Sequence, residues 1–161
     1  HNLGPVVSKK QKQLLSAFIE RGKAELNIAA QGKLHADAPA AGNYVLPTLF
    51  SEVEPDHALA QQEIFGPVQV LIPFDSEEDA LRIANGTEYG LVAGVWTRDG
   101  GRQLRMARKL HSGQVFINNY GAGGGIELPF GGVGKSGHGR EKGFEALYGF
   151  THVKTVTISH G

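Results

Sequence analysis

Val68-Gln69-Val70-Leu71-Ile72-Pro73-Phe74 runs straight into Asp75-Ser76-Glu77-Glu78-Asp79-Ala80-Leu81-Arg82-Ile83-Ala84-Asn85-Gly86, and the fold turns on how these residues are read. The first part is a continuous apolar run of strand length, which predicts a buried β-strand. The second offers a cap in Asp75 or Ser76, then Ala80, Leu81, Ile83 and Ala84 on a helical face, then an Asn-Gly stop, which predicts a helix. The pattern repeats downstream. Leu91 to Thr97 reads as a strand buried on both faces, and Asp99 starts a helix with Leu104, Ala107 and Leu110 on one side. Gly113 then opens the strand Gln114 to Asn118. Strand, helix, strand, helix, strand predicts an α/β fold, an open parallel sheet flanked by helices, with ligands gathering at the carboxyl ends of the strands.

Upstream, Ser8 can cap a helix through Leu14, Leu15, Phe18 and Ile19, with Gly22 near its end. Leu26 to Ala30 alternates as a short strand, and Gln31 to Gly42 reads as a surface loop or hairpin. Tyr44 to Phe50 is extended, with Pro47 at an edge or irregular position. Pro55 to Gln62 forms a turn or a single helical turn. At the other end, Phe144 to Tyr148 is a short helix, and Val153-Lys154-Thr155-Val156-Thr157-Ile158 alternates as a strand. Such a strand needs a neighbour, in its own sheet or on another subunit's edge.

Composition narrows the class. The 161 residues suffice for one domain with a real core. Sixteen basic residues balance sixteen acidic ones, so no electrostatic case exists for nucleic acid or an anionic membrane as partner. No apolar run is long enough to span a bilayer. His1-Asn2-Leu3-Gly4-Pro5 lacks the regions of a signal peptide, and the expectation is a cytosolic protein. There is no cysteine, which excludes disulfides, thiolate metal sites and a thiol nucleophile from within the chain. The 23 glycines are about twice the usual share, and the excess is concentrated between Gly121 and Gly149, marking tight turns and close backbone approaches.

Between the short helical turn and the first strand lies Gln61-Gln62-Glu63-Ile64-Phe65-Gly66-Pro67-Val68. Glu63 can accept hydrogen bonds from two neighbouring sugar hydroxyls, while Phe65, two residues on, offers a flat face on the same side. Sugar plus ring describes a nucleotide. The plainer reading, a charged strand start followed by a core Phe, is favoured on these residues alone, because short patterns match by chance.

Other motifs fail on context. Gly132-Val133-Gly134-Lys135-Ser136-Gly137 holds both a Gly-x-Gly-x-x-Gly spacing and a Gly-Lys-Ser. A phosphate loop, however, requires glycine where Pro129 stands, and a dinucleotide fingerprint should join a strand to a helix rather than follow a turn. A tightly folded glycine loop is the better reading. The seven histidines show no metal-ligand pair on a helix, and no Gly-x-Ser-x-Gly elbow supports a serine hydrolase. Arg102, Arg105, Arg108 and Lys109 surround an apolar stripe and read as a solvated face.

Taken together, the residues resemble the C-terminal part of the aldehyde dehydrogenase superfamily across nearly the whole chain. Leu3-Gly4-Pro5-Val6-Val7 is similar to the family's lead into its helix, and Glu63-Ile64-Phe65-Gly66-Pro67-Val68 to its most recognisable C-terminal signature. Glu88 to Thr97 follows the Tyr-Gly-Leu-x-Ala pattern, and Gly113 to Asn118 resembles the next strand. Pro129-Phe130-Gly131-Gly132 and Ser136 to Glu141 then come in the right order. Several signatures in order are far more specific than any one.

The resemblance implies a parent enzyme that oxidises an aldehyde to a carboxylic acid with NAD or NADP, through the thiohemiacetal of a cysteine. It places Glu63 on the nicotinamide ribose hydroxyls, Phe65 against the nicotinamide, and Gln11 near the adenosine end. The Lys usual beside that Gln is Leu14 here. Phe130, Gly121 and Ala122 fall near the aldehyde, where Gly121-Ala122-Gly123-Gly124-Gly125 replaces bulkier residues and implies an open or mobile mouth. The family's nucleophile, general base and oxyanion asparagine lie upstream of the matched region, so no catalytic residue is assigned to this chain, and no metal. Gly131, Gly132, Gly137 and Gly139 are expected to supply special backbone angles, and Arg140 with Glu141 to tie their loop down. Residues 1–150 correspond to the later part of the catalytic domain. Residues 151–161 correspond to a terminal strand that pairs with a neighbouring subunit in a homo-dimer or homo-tetramer. The alternative is a standalone, non-catalytic α/β module that binds a nucleotide or a protein partner.

Overall fold

The structure is a computed structural model that describes residues 3–121 and 125–161. These fall into two compact units, His1–Asp75 and Ser76–Gly161. In the first, helix α1 (Lys9–Glu25) starts at Ser8, whose hydroxyl accepts from Gln11 N–H at 3.1 Å. Gly22 does not cap this helix. It sits three residues inside the end, where a Cβ would lie 2.4 Å from Cζ of Phe50, so it lets the helix rest directly on that ring. Strand β1 (Asn27–Gln31) pairs antiparallel with β2 (Thr48–Ser51), which pairs parallel with β3 (Val68–Val70). The short helix α2 (Ala58–Gln61) is capped by His57, whose Nδ1 accepts from Leu59 N–H and whose Nε2 meets Glu25 at 2.9 Å. Phe50, Leu15, Val53, Leu59 and Ile64 make the core.

The apolar run after Pro67 is a strand only as far as Val70. Leu71 N–H still reaches the Phe50 carbonyl, but Leu71 and Phe74 are exposed and Pro73 ends the ladder. Pro47 stands just before the central strand, where its missing N–H costs no ladder bond, and its carbonyl accepts from Gly32.

In the second unit, helix α3 (Glu77–Ala84) is capped by Ser76, and α4 (Gly100–Lys109) by Asp99. Strand β4 (Tyr89–Gly90) pairs antiparallel with β7 (Val133–Gly134). β5 (Val92–Val95) and β6 (Gln114–Ile117) pair parallel, and α5 (Glu145–Gly149) follows. The α/β class and the parallel pairs stand as expected, with the strands divided among three small sheets. Two readings are corrected. β5 is only partly buried, with Gly94 exposed. Of the expected face of Leu104, Ala107 and Leu110, only Leu110, the C-cap of α4, is buried; it packs with Met106 and Leu81, while Leu104 is 61% exposed and Ala107 is exposed too. Met106 and Leu110 are one helical turn apart, and that pair sets the rotation of the helix.

The same rotation brings Arg102 and Arg105 onto Glu77 of α3, at 3.3 and 2.7 Å. The Arg105 hydrogen bond, with help from Arg102, holds the Glu77 carboxyl at about 2, down from 4.5. A depressed carboxylate stabilises the fold above its unfolded value, and that contribution disappears as pH falls from about 4.5 toward 2. Urea unfolding across that window should therefore show a flatter acid slope for Glu77→Gln than for the parent chain. Identical slopes would rule the clamp out as a source of acid sensitivity.

Residues 151–161 form no helix or strand, and Val153, Val156 and Ile158 are exposed. The alternating pattern there finds no partner strand among the described residues.

Candidate functional site

Ile64 is anchored in the core of the first unit, and the residues on either side of it, Glu63 and Phe65, both face solvent. The outward, inward, outward alternation arises without a strand, and Phe65 has φ 55° in the left-handed region. The Phe65 ring is 71% exposed, which overturns its reading as a core residue. A bulky residue held at positive φ with its ring in water is a locally unfavourable choice, and such choices cluster where a ligand is met.

Helix α1 carries this loop from beneath. Gln11 Nε2 donates to the carbonyls of Ile64 and Phe65, at 3.2 and 3.1 Å. At Gly66 a Cβ would stand 2.2 Å from Cδ2 of the buried Leu15, so only glycine lets the backbone lie so close to the helix. Pro67 then hands the chain into β3, its carbonyl accepting from Thr48 N–H at 2.9 Å. A carboxylate and an open aromatic face thus stand on one short loop fixed at both ends. An open cleft of about 410 Å³ beside Gly66 and Pro67 is walled by Ala30, Pro47, Leu49 and Val68, and neither Glu63 nor Phe65 lines it.

In the second unit, Phe130 is held by reciprocal backbone hydrogen bonds with Glu141, and Lys142 Nζ lies 5.7 Å from the centre of its ring. Arg140 ties the glycine loop down by donating to the carbonyls of Gly132 and Gly139, while Glu141 contributes through its backbone. Gly137 and Gly139 have positive φ as expected. Gly131 and Gly132 instead serve close approach, since a Cβ on Gly131 would lie 2.6 Å from the Gly139 carbonyl. Lys135 pairs with Glu88, and Ser136 Oγ accepts from Gly90 N–H, so the Gly-Lys-Ser run holds β4 in place. Gly121 lies against Phe116, and Ala122 is outside the described residues.

One positioning device is not apparent from the motifs. Asn118, at φ 51°, accepts from Thr97 N–H and donates to the Thr97 carbonyl, binding together the carboxyl ends of β5 and β6 where the glycine-rich segment begins. An Asn directly after a strand is the available signal, since Asn adopts the left-handed region more readily than most residues. Among the described residues no group of three or more His, Cys, Asp or Glu could hold a metal, and no helix is long and apolar enough to cross a membrane.

Comparison with known proteins follows the same lines. The sequence model of the aldehyde dehydrogenase family matches residues 1–156. The chain is 43% identical to the NADP/NAD-dependent aldehyde dehydrogenase PuuC of Escherichia coli (strain K12), over 98% of this chain and 31% of that protein. It superposes on a crystal structure from Burkholderia cenocepacia, proposed to be an aldehyde dehydrogenase, with a TM-score of 0.91 and 59% identity, over 98% of this chain and 33% of the other. It also superposes on the Mycobacterium tuberculosis aldehyde dehydrogenase complexed with NAD+, with a TM-score of 0.85 and 36% identity over 93% and 31% of the two chains. The chain spans about a third of the length of these relatives. With its signatures in order and its fold shared, the chain belongs to the aldehyde dehydrogenase family.

Proposed function

We propose that this chain is the C-terminal third of an NAD- or NADP-dependent aldehyde dehydrogenase, and that it supplies one wall of the nicotinamide site and part of the aldehyde pocket. The observation that carries the reading is the Glu63 to Gly66 loop. It has an exposed carboxylate and an exposed ring on either side of a buried Ile64, clamped to α1. These groups fit a nicotinamide riboside, because an acceptor-only carboxylate suits a ribose diol and a flat apolar face suits the pyridine ring. The dinucleotide, when bound, supplies the hydride acceptor.

This chain's residues then orient and exclude. Glu63 fixes the ribose, Phe65 limits the rotation of the ring beside it, and Phe130 with Gly121 and Ala122 borders the aldehyde. Orientation of this kind is worth orders of magnitude in rate, since reacting atoms must meet at about 3–3.5 Å. The nucleophilic thiolate and the carboxylate that activates water come from the rest of the polypeptide, as no cysteine occurs here. Residues 151–161 carry the oligomerisation strand, a role supported by the exposure of Val153, Val156 and Ile158 in a β-branched segment, and the enzyme is a homo-dimer or homo-tetramer. A cytoplasmic location belongs to the same proposal.

Calorimetric titration tests the division of labour. The isolated chain and its Glu63→Gln variant should both bind NAD and NADP weakly or undetectably, because adenosine and pyrophosphate find their contacts elsewhere in the polypeptide. Micromolar affinity for either dinucleotide would contradict the proposal and favour a standalone nucleotide-binding module.

A further inference from the structure

The contacts beneath the candidate loop assign Gln11 a task within the protein itself. Its backbone N–H is taken by the Ser8 cap, and its side-chain nitrogen is shared between two consecutive carbonyls, those of Ile64 and Phe65. Consecutive carbonyls converge on one donor only when the chain turns sharply between them, and the turn here is the left-handed conformation of Phe65. A bulky residue does not favour that conformation by itself. It persists because its surroundings hold it, and two contacts do so: the Gln11 amide, and the seat of Gly66 on Leu15 four residues further along the same face of α1.

We propose that Gln11 is a positioning residue. Through the Ile64 and Phe65 carbonyls it locks the loop that presents Glu63 and Phe65 to the nicotinamide riboside. This rests on the nicotinamide reading above. The sulfur of a Met in its place would keep the length and volume of Gln11 while removing both N–H donors. Exposed Phe65 would then leave the left-handed region part of the time, and the Glu63 carboxylate would follow it. Hydride transfer would slow although the dinucleotide still bound, because most of its contacts lie elsewhere.

The test uses the full-length dehydrogenase that contains this sequence. Hydrogen exchange of the cofactor-free enzyme, read by mass spectrometry on the peptide spanning residues 63–68, should quicken at least about fivefold in Gln11→Met, with the core peptide around Phe50 unchanged. In steady-state kinetics kcat should fall about tenfold while KM for the dinucleotide moves less than about twofold, the pattern of an interaction realised in the transition state. Combined with Glu63→Gln, the double variant should be no more than about twofold slower than Glu63→Gln alone, since both act through one loop. Unchanged exchange, a raised KM with unchanged kcat, or effects that multiply would each overturn the assignment. If Glu63→Gln alone leaves kcat unchanged, the nicotinamide reading falls and this proposal with it. If Glu63→Gln slows the enzyme and Gln11→Met does not, only the role of Gln11 is lost.

Discussion

Purified alone, the 161-residue chain should oxidise no aldehyde with NAD or with NADP, whatever the substrate offered. The expectation follows from chemistry before structure. Thiohemiacetal formation needs a thiolate, and the chain has no cysteine. The histidines and carboxylates that are present do not substitute. His57 is engaged as a helix cap and by Glu25, Glu77 is clamped by two arginines, and Glu63 stands exposed with no activating base beside it in the hydrogen bonds of its loop. Activity of the polypeptide that carries a nucleophile should therefore drop below detection in this piece of it, a loss of at least about 10⁶-fold on the scale of enzymic rate enhancements. Turnover above the uncatalysed rate, measured as dinucleotide reduction at 340 nm, would overturn the fragment reading.

The largest expected change in stability comes from Phe50→Ala. Phe50 is fully buried in the central strand of its sheet, and α1 approaches it at Gly22 closely enough that a methyl group there would overlap the ring. Removing the ring leaves a cavity between a helix and a sheet that cannot both close on it, so a cost of about 3–5 kcal/mol is expected. For a unit of this size, that is a large share of the about 4–11 kcal/mol that ordinary per-residue stabilities imply. Urea unfolding followed by circular dichroism should show the first unit of Phe50→Ala melting at a much lower denaturant concentration, and a loss below about 1 kcal/mol would contradict the packing described. Phe65→Ala is the matched control. Its ring is exposed, and its removal should change stability by less than about 0.5 kcal/mol. One phenylalanine thus belongs to the core, and the other stands in solvent on the loop proposed as the site.

How much of this can be read in sequence depends on how local its causes are. The helix starts at Ser8, Ser76 and Asp99 are legible because a cap needs only a side-chain oxygen and an N–H three residues on. The face of α4 is misread because Leu104 and Met106 are both apolar, and the choice between them is made by Leu81 and by the Arg105 clamp on Glu77, which lie in another helix. The division of the strands into three small sheets is equally non-local, since pairing depends on which other strands are at hand. At the site, Glu63 and Phe65 stand out as a pattern, whereas the left-handed turn at Phe65 and the reach of Gln11 across more than fifty residues of sequence leave no local trace. The terminal segment shows the opposite case. Val153 to Ile158 has a strand's alternation and no strand, because alternation records what a segment can pair with and not whether the partner is present.

Glu63 and Phe65 are proposed to form a wall of the nicotinamide site in a longer dehydrogenase. This role is tested most directly by single-turnover hydride transfer in the full-length enzyme carrying Glu63→Gln. The substitution keeps the size of the side chain and weakens its hold on a ribose diol, so the ring should sit loosely and the transfer rate should fall by about 10²-fold with little change in folding stability. A transfer rate equal to that of the parent enzyme would contradict the account.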